Sequence, residues 1–329
     1  MPVQKTPYDN MLHSPECAIV LLIDVGSKEA FSLSSDLRFP PPPGCSEAPV
    51  WTANGFIIAG KLLPVLSYDD IGPVAWNDEL TEVHEEVAGD DHYIERASRE
   101  HTADQLRRWL AQPNASVMDI GCSSGSFLRL LRSRFPNYTI VGADCVRGPL
   151  ERLSRSMQNI PLLHFDLLKC PWPDESFDAL VLLNVLEHIE DDLGAARQAL
   201  RILRPGGVAV IEVPAGPGLY DVYDQELMHF RRYRMADLLN TLRCAGFEIV
   251  HQSHLGFFLF PGFWLVKKRN RRYLNASPET KREVVRSSIG RYRSNPLMHF
   301  VMRAEAKLRK VIRYPFGIRC LVTCRKPLV

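Results

Sequence analysis

No apolar run in the 329 residues reaches the about 18 needed to cross a membrane as a helix; Ala18–Ile23 and Leu255–Val266 come nearest and are too short. The first ten residues, Met-Pro-Val-Gln-Lys-Thr-Pro-Tyr-Asp-Asn, lack the charged-then-apolar order of a secretory signal. A soluble cytoplasmic protein is the expectation. None of the eight cysteines stands in a Cys-x-x-Cys pair, and they scatter from Cys17 to Cys324. That pattern speaks against a zinc cluster or a disulfide framework, so no metal site is expected and the cysteines are read as reduced and mostly buried. Cys320 and Cys324 share one face of an expected strand, too far apart for an easy bridge.

Basic residues are scarce at one end and acidic ones at the other. Residues 1–95 hold 4 Lys/Arg against 16 Asp/Glu, residues 96–255 hold 18 against 19, and residues 256–329 hold 18 against 3. A net charge of +2 therefore hides an acidic head and a basic tail. Either these are solvated faces that attract each other, or the tail meets an anionic partner such as a phospholipid surface or a phosphorylated substrate. The tail has no recognisable nucleic-acid-binding motif, so no nucleic acid is expected. The hydrophobic fraction of 46% permits a large core and excludes wholesale disorder.

Residues 1–95 read as an acidic N-terminal extension. Ala18–Val25 fits a strand, Phe39-Pro-Pro-Pro-Pro-Gly44 is a stiff breaker, and Asn54-Gly55 suits a hairpin turn between two short apolar runs. Tyr68–Asp91 reads as acidic loop with one short helix. From residue 96 strands and helices alternate: strands at 116–120, 139–144, 162–165, 179–183, 208–213, 247–254 and 318–324, with helices at 97–110, 126–134, 149–157, 193–203 and 235–245. This order predicts a doubly wound, mostly parallel α/β sheet, whose ligands sit beyond the carboxyl ends of the strands.

Val117-Met-Asp-Ile-Gly-Cys-Ser-Ser-Gly-Ser126 runs from an expected strand into a helix. It is neither the Gly-x-Gly-x-x-Gly of a dinucleotide site nor a P-loop. An acid, Asp119, precedes the glycines and suits a cationic ligand head better than a pyrophosphate. The stretch resembles the glycine-rich loop of class I S-adenosylmethionine-dependent methyltransferases, Asp/Glu-x-Gly-x-Gly-x-Gly, with Ser123 in place of the middle glycine. Asp144 in Val141-Gly-Ala-Asp, Asp166 in His164-Phe-Asp-Leu, the stretch Leu180–Ile189 and the turn Arg204-Pro-Gly-Gly207 resemble the later motifs of the same family, in order. Gly317–Lys326 resembles its last strand, antiparallel in the sheet.

The resemblance implies a Rossmann-like seven-stranded sheet, a methyltransferase domain over 96–329 with an insertion at 256–314, and S-adenosylmethionine as cofactor. It implies cofactor contacts from Asp119, Gly121, Cys122, Ser123, Gly125, Asp144, Cys145, Asp166, Leu167, Asn184 and Val185. Asp144 would take the ribose hydroxyls and Asp166 the adenine amine. A non-catalytic S-adenosylmethionine-binding scaffold and an NAD(P)-dependent oxidoreductase are the alternatives; the loop pattern disfavours the second.

The acceptor side is less determined. The loop after the fifth strand, Pro214–Arg234, holds Tyr220, Tyr223, His229, Arg231, Arg232 and Tyr233. His229 can take a proton from an acceptor hydroxyl, or clamp the loop together with Arg232. His188 packs on the cofactor or caps a turn. The expected acceptor is small or lipid-like, with oxygen as the target atom ahead of nitrogen or carbon. Leu255–Val266, rich in aromatics, runs into Lys267-Lys-Arg-Asn-Arg-Arg272. It is read as a core segment with a solvated turn, as part of the acceptor cleft, or as a peripheral anchor on an anionic membrane. Residues 278–313 read as two basic helices that could lid the site.

Overall fold

Short β-rich runs alternating with amphipathic stretches need parallel strands joined by crossover helices, and the computed structural model has this arrangement. It describes residues 37–68, 92–290, 295–309 and 311–328. The strand expected at Ala18–Val25, and the acidic stretch from Tyr68 to Asp91 apart from Tyr68 itself, lie outside the described residues.

Three short strands, β1 (Val50–Thr52), β2 (Gly55–Ile58) and β3 (Lys61–Leu63), form a small antiparallel sheet. Thr52 pairs with Gly55, so the turn is Ala53-Asn54, one residue earlier than expected, and Gly55 opens β2. Gly55 has φ 139°, and a Cβ there would lie 2.5 Å from the Leu63 carbonyl oxygen, so the position requires glycine. The chain continues through β4 (Leu66–Ser67), α1 (Tyr93–Trp109), β5 (Ser116–Ile120), α2 (Ser126–Arg134), β6 (Thr139–Asp144), α3 (Arg147–Ser156), β7 (Leu162–His164), β8 (Phe177–Leu183), α4 (Asp192–Ile202) and β9 (Leu203–Pro214). Then follow α5 (Val222–Glu226), α6 (Met235–Ala245), β10 (Glu248–Leu255), α7 (Phe260–Asn270), α8 (Pro278–Gly290), α9 (Pro296–Leu308) and β11 (Arg319–Arg325).

The main sheet has the order β10-β11-β9-β8-β5-β6-β7-β4. Strands β4 to β9 pair in parallel, and β11 runs antiparallel between β9 and β10. Seven strands are the expected ones. The eighth, β4, adds to the edge because Leu66 is buried and pairs with Leu163, while the Ser67 hydroxyl lies 2.8 Å from His164 Nδ1. Strand β9 starts at Leu203 rather than at 208, since Leu203 pairs with Phe177 ahead of the glycine turn.

Period-two alternation sends successive strand residues to opposite layers. Val117, Ala179, Val181, Val208 and Val210 pack with Leu106, Leu128 and Leu150 from α1, α2 and α3. Met118, Leu180, Leu182, Ala209 and Ile211 pack with Ala196, Ala199, Leu238 and Leu242 from α4 and α6. The N-terminal segment joins this second layer. Phe39 rests against Phe56 and Trp172 with ring centroids 4.9 and 5.4 Å apart. Among the described residues no helix is long and apolar enough to cross a membrane.

Candidate active site

The loops at the carboxyl ends of β5, β6, β7, β8 and β9 meet along one edge of the sheet. The β5 loop is tight: Gly121 and Cys122 both donate their N–H to the Ala143 carbonyl, at 2.8 and 3.0 Å. Gly121 and Gly125 have φ +77° and +76°. A Cβ on Gly121 would stand 2.6 Å from Val185 Cγ2, so only glycine lets the β5 and β8 loops approach. Ser123, where the family pattern has glycine, also has positive φ (46°), a conformation that costs a serine energy.

Asp144 binds this loop to the next. Its Oδ2 accepts from Ser123 N–H and its Oδ1 from Val146 N–H, both at 2.9 Å. Asp119 is buried at the end of β5, and burial, reinforced by Asp144, holds its pKa well above the ordinary carboxylate range. Asp166 caps the short turn Leu167–Lys169 by accepting from Leu168 N–H at 2.9 Å. Cys122 is buried and Cys145 partly so, and burial raises both thiol pKa values, so neither is a ready nucleophile. Asn184 has φ 55° and donates its N–H to the Glu212 carbonyl at 2.9 Å. The eleven residues expected to hold the cofactor therefore lie on consecutive loops at this edge.

On the β9 side a cavity of about 580 Å³ opens beside Asn184 and Pro214. Its apolar wall includes Leu227, Phe258, Phe263, Val266 and Met298. His188 and His229 both line it, with ring centroids 4.6 Å apart and ring planes at 77°. His229 Nδ1 lies 2.8 Å from Asp224 Oδ1. Burial raises the Asp224 pKa, but Arg232 and Lys267 overcome this and hold it well below the usual range. An ionised carboxylate only accepts, so Nδ1 carries the proton and Nε2 keeps a lone pair. Burial lowers the pKa of His229 against the pull of Asp224, which favours the neutral ring.

A second function of this loop is to hold itself in place. Asp221 and Asp224 form a reciprocal capping box at the start of α5. Arg232 Nε donates to Asp224 at 2.7 Å, Tyr233 Oη to Asp192 at 2.8 Å, and Arg231 pairs with Asp192 at 2.9 Å. The clamp read from His229 and Arg232 is present, since both bind Asp224, and Arg231 and Tyr233 add to it through Asp192.

Four site residues escaped the sequence reading. Asp224 orients His229. Lys267, counted within a basic run, is buried and donates to Asp221 and Asp224 at 2.7 and 2.9 Å. Arg319 lines the cavity and pairs with Glu95 and Glu212. Glu187 is fully buried, and burial pushes its pKa up to about 8. The one signal for Glu187 was a charged residue inside the apolar run Leu180–Ile189.

Residues 91–252 match the family pattern described as a methyltransferase domain. Over these residues the chain carries a domain of the class I S-adenosylmethionine-dependent methyltransferases. Cycloartenol-C-24-methyltransferase of Arabidopsis thaliana is 30% identical over 192 residues, 50% of this chain and 56% of that protein. Demethylmenaquinone methyltransferase of Staphylococcus aureus is 30% identical over 150 residues, 44% of this chain and 61% of that protein. The chain thus spans little more than half the length of these relatives. A solved methyltransferase structure from Galdieria sulphuraria shares the fold, with TM-score 0.51 and 15% identity over 76% of this chain and 99% of that one.

S-adenosylmethionine is the cofactor that this family membership carries. The edge fits it. Gly121 lets the β5 and β8 loops close on each other, and carboxylates stand at successive strand ends, where hydroxyl and amine donors can be met.

Proposed function

We propose that this protein transfers a methyl group from S-adenosylmethionine to an apolar, lipid-like acceptor bound in the cavity beside Asn184 and Pro214, with a hydroxyl oxygen as the target. The observation that carries the reading is the cavity itself: aromatic and aliphatic walls, with His229 and His188 at its inner side. The relatives named for a sterol precursor and a menaquinone precursor support an acceptor of this kind.

When bound, the cofactor supplies an electrophilic methyl on a sulfonium. The residues do the rest. Asp144 accepts from the ribose hydroxyls, and a carboxylate that already takes two amide bonds retains acceptor capacity for them. Asp166 and Leu167 hold the adenine edge. The Gly121–Gly125 loop, with Asp119, Cys122 and Ser123 in and beside it, shapes the pocket for the amino-acid end, and Cys145, Asn184 and Val185 close its sides. His229 Nε2 receives the hydroxyl proton, and Asp224 stabilises the imidazolium that forms. Positioning and exclusion of water by the insertion at 256–314 supply the remaining rate. The exposed aromatic and basic surface of the insertion holds the protein at an anionic membrane, where such an acceptor resides.

The test is incubation with deuteromethyl cofactor and two acceptor sets, one of sterols and reduced quinones, one of water-soluble phenols and amines. Mass-shifted product from the apolar set is expected. No product from either set, with no thermal shift by S-adenosylhomocysteine and a clear shift by NAD, overturns the reading.

A further inference from the structure

The carboxylate of Glu187 sits in the turn Leu186–His188 after β8, shut off from solvent, and neither of its oxygens takes a hydrogen bond among the described residues. A buried carboxylate needs a partner, because desolvation without compensation costs several kcal/mol. The cations around the cavity are already committed. Lys267 binds Asp221 and Asp224, Arg232 binds Asp224 and the Ala215 carbonyl, and Arg319 binds Glu95 and Glu212. Among the described residues none of these cations reaches the Glu187 carboxylate, so its two oxygens keep their capacity to bind a ligand.

Two imidazoles stand next to it. Donor atoms of Glu187, His188 and His229 all lie within 4.8 Å of one another. The rings of His188 and His229 are steeply inclined rather than stacked, so a ring nitrogen of each can face a common point. His229 is aimed by its Nδ1–H bond to Asp224, which leaves Nε2 as the donor atom, an arrangement seen in carboxylate–histidine metal sites. The Phe230 N–H donates to the Glu187 carbonyl at 2.8 Å and stitches the two loops together, so the three side chains are held by fixed backbone.

We propose that Glu187, His188 and His229 bind one divalent first-row transition ion at the inner side of the cavity. Two imidazole nitrogens and one carboxylate suit Zn²⁺, Co²⁺, Mn²⁺ or Fe²⁺, rather than the all-oxygen sets of Ca²⁺ and Mg²⁺. Three protein ligands leave coordination positions open towards the cavity. An acceptor hydroxyl or enol oxygen bound there loses its proton to solvent more readily, because the ion stabilises the oxyanion. This consequence rests on the methyl-transfer reading and applies to the metal-loaded protein, whereas proton uptake by His229 Nε2 applies to the metal-free protein; occupancy of the metal site does not depend on that reading.

The test is titration of chelator-treated protein with Co²⁺, read by its visible absorption. One equivalent is expected to saturate the signal, and Zn²⁺ to abolish it. Glu187→Gln and His229→Gln should each weaken Co²⁺ binding by more than about tenfold. Thermal shift by S-adenosylhomocysteine in the same samples reports folding and the cofactor site. Variants that keep this shift and lose Co²⁺ support the proposal. If the parent binds no Co²⁺, or both variants bind it like the parent, the proposal fails whether or not the cofactor binds.

Discussion

Lys267 of α7 places its Nζ 2.7 Å from Oδ1 of Asp221, with both side chains withdrawn from solvent. One comes from the insertion and the other from the loop after β9. The same ammonium reaches Asp224, which also holds His229 and Arg232. Helix α7 is therefore locked to the loop after β9 by a buried charge network. Lys267→Met leaves Asp221 and Asp224 short of a cation while their side chains stay withdrawn from solvent. Loss of one partner of such a pair typically costs about 3–5 kcal/mol. Chemical denaturation should show that scale of loss, and limited proteolysis should cut within 256–290 faster than in the parent. An unchanged midpoint would mean that the network contributes little.

Asp144 has two duties, which a pair of substitutions separates. Its oxygens hold Ser123 N–H and Val146 N–H, and it is the proposed ribose acceptor. Asp144→Ala removes charge-assisted bonds and should weaken S-adenosylhomocysteine by about ten- to hundredfold, the equivalent of roughly 1.5–3 kcal/mol. Asp144→Asn keeps one acceptor oxygen and should fall between Ala and the parent. Calorimetric titration gives the ranking. Equal affinities for all three proteins would remove Asp144 from the cofactor site.

The parallel sheet was legible because both of its signals are local. Strand residues 179–182 and 208–211 alternate between layers, and the helices between strands carry apolar stripes. The first hairpin was legible for the same reason, though its turn is Ala53-Asn54 rather than Asn54-Gly55. Lys267 was not. In Lys267-Lys-Arg-Asn-Arg-Arg272 it looks like one of five equivalent solvated charges, and only tertiary packing turns it towards Asp221 while Lys268 and Arg269 stay exposed. Glu187 was hidden by the opposite effect: a charge within an apolar run reads as a strand end. The role of Asp224 depends on a loop conformation set by its capping box with Asp221, and a spacing of three residues shows the box without showing what it orients.

His251 in β10 gives a pH dependence of known sign. Burial, helped by Arg108, Arg309 and Arg313, lowers its pKa from 6.5 to about 4. Above pH 6.5 the ring is neutral folded and unfolded. Between 6.5 and about 4 the unfolded chain takes up the proton first, so stability falls as pH falls. Below the folded value both states are protonated and the loss is complete. Partial exposure reduces the effect to on the order of 1–3 kcal/mol. Comparing denaturation at pH 7 and pH 4.5, His251→Gln should lose less stability than the parent. A pH dependence identical to the parent's would show that His251 protonates freely in the folded state.

The insertion leaves large apolar side chains in solvent: Trp264 is 44% exposed, Leu265 62% and Phe300 62%. Exposed Lys268, Arg269, Arg271 and Arg272 follow in sequence, and Lys268 Nζ lies 4.9 Å from the Trp264 ring centre. Phe263 belongs to the cavity wall and Phe258, 46% exposed, to both wall and surface, so the aromatic run divides between the cavity and the surface. An apolar edge with a cationic rim suits an interface of anionic lipid, where each Lys or Arg contributes about 1 kcal/mol. Lys267 does not count towards this sum, because its charge is spent on Asp221 and Asp224. Four exposed charges and one tryptophan give reversible attachment, weakened when salt shortens the Debye length to about 8 Å at physiological strength and further above it. The protein should sediment with phosphatidylserine-containing vesicles at low salt, and much less with neutral ones. Trp264→Ser should reduce sedimentation by removing insertion, and high salt should reduce it by screening the rim. If neither vesicle type carries the protein down, the acceptor reaches the cavity without the protein docking on a membrane.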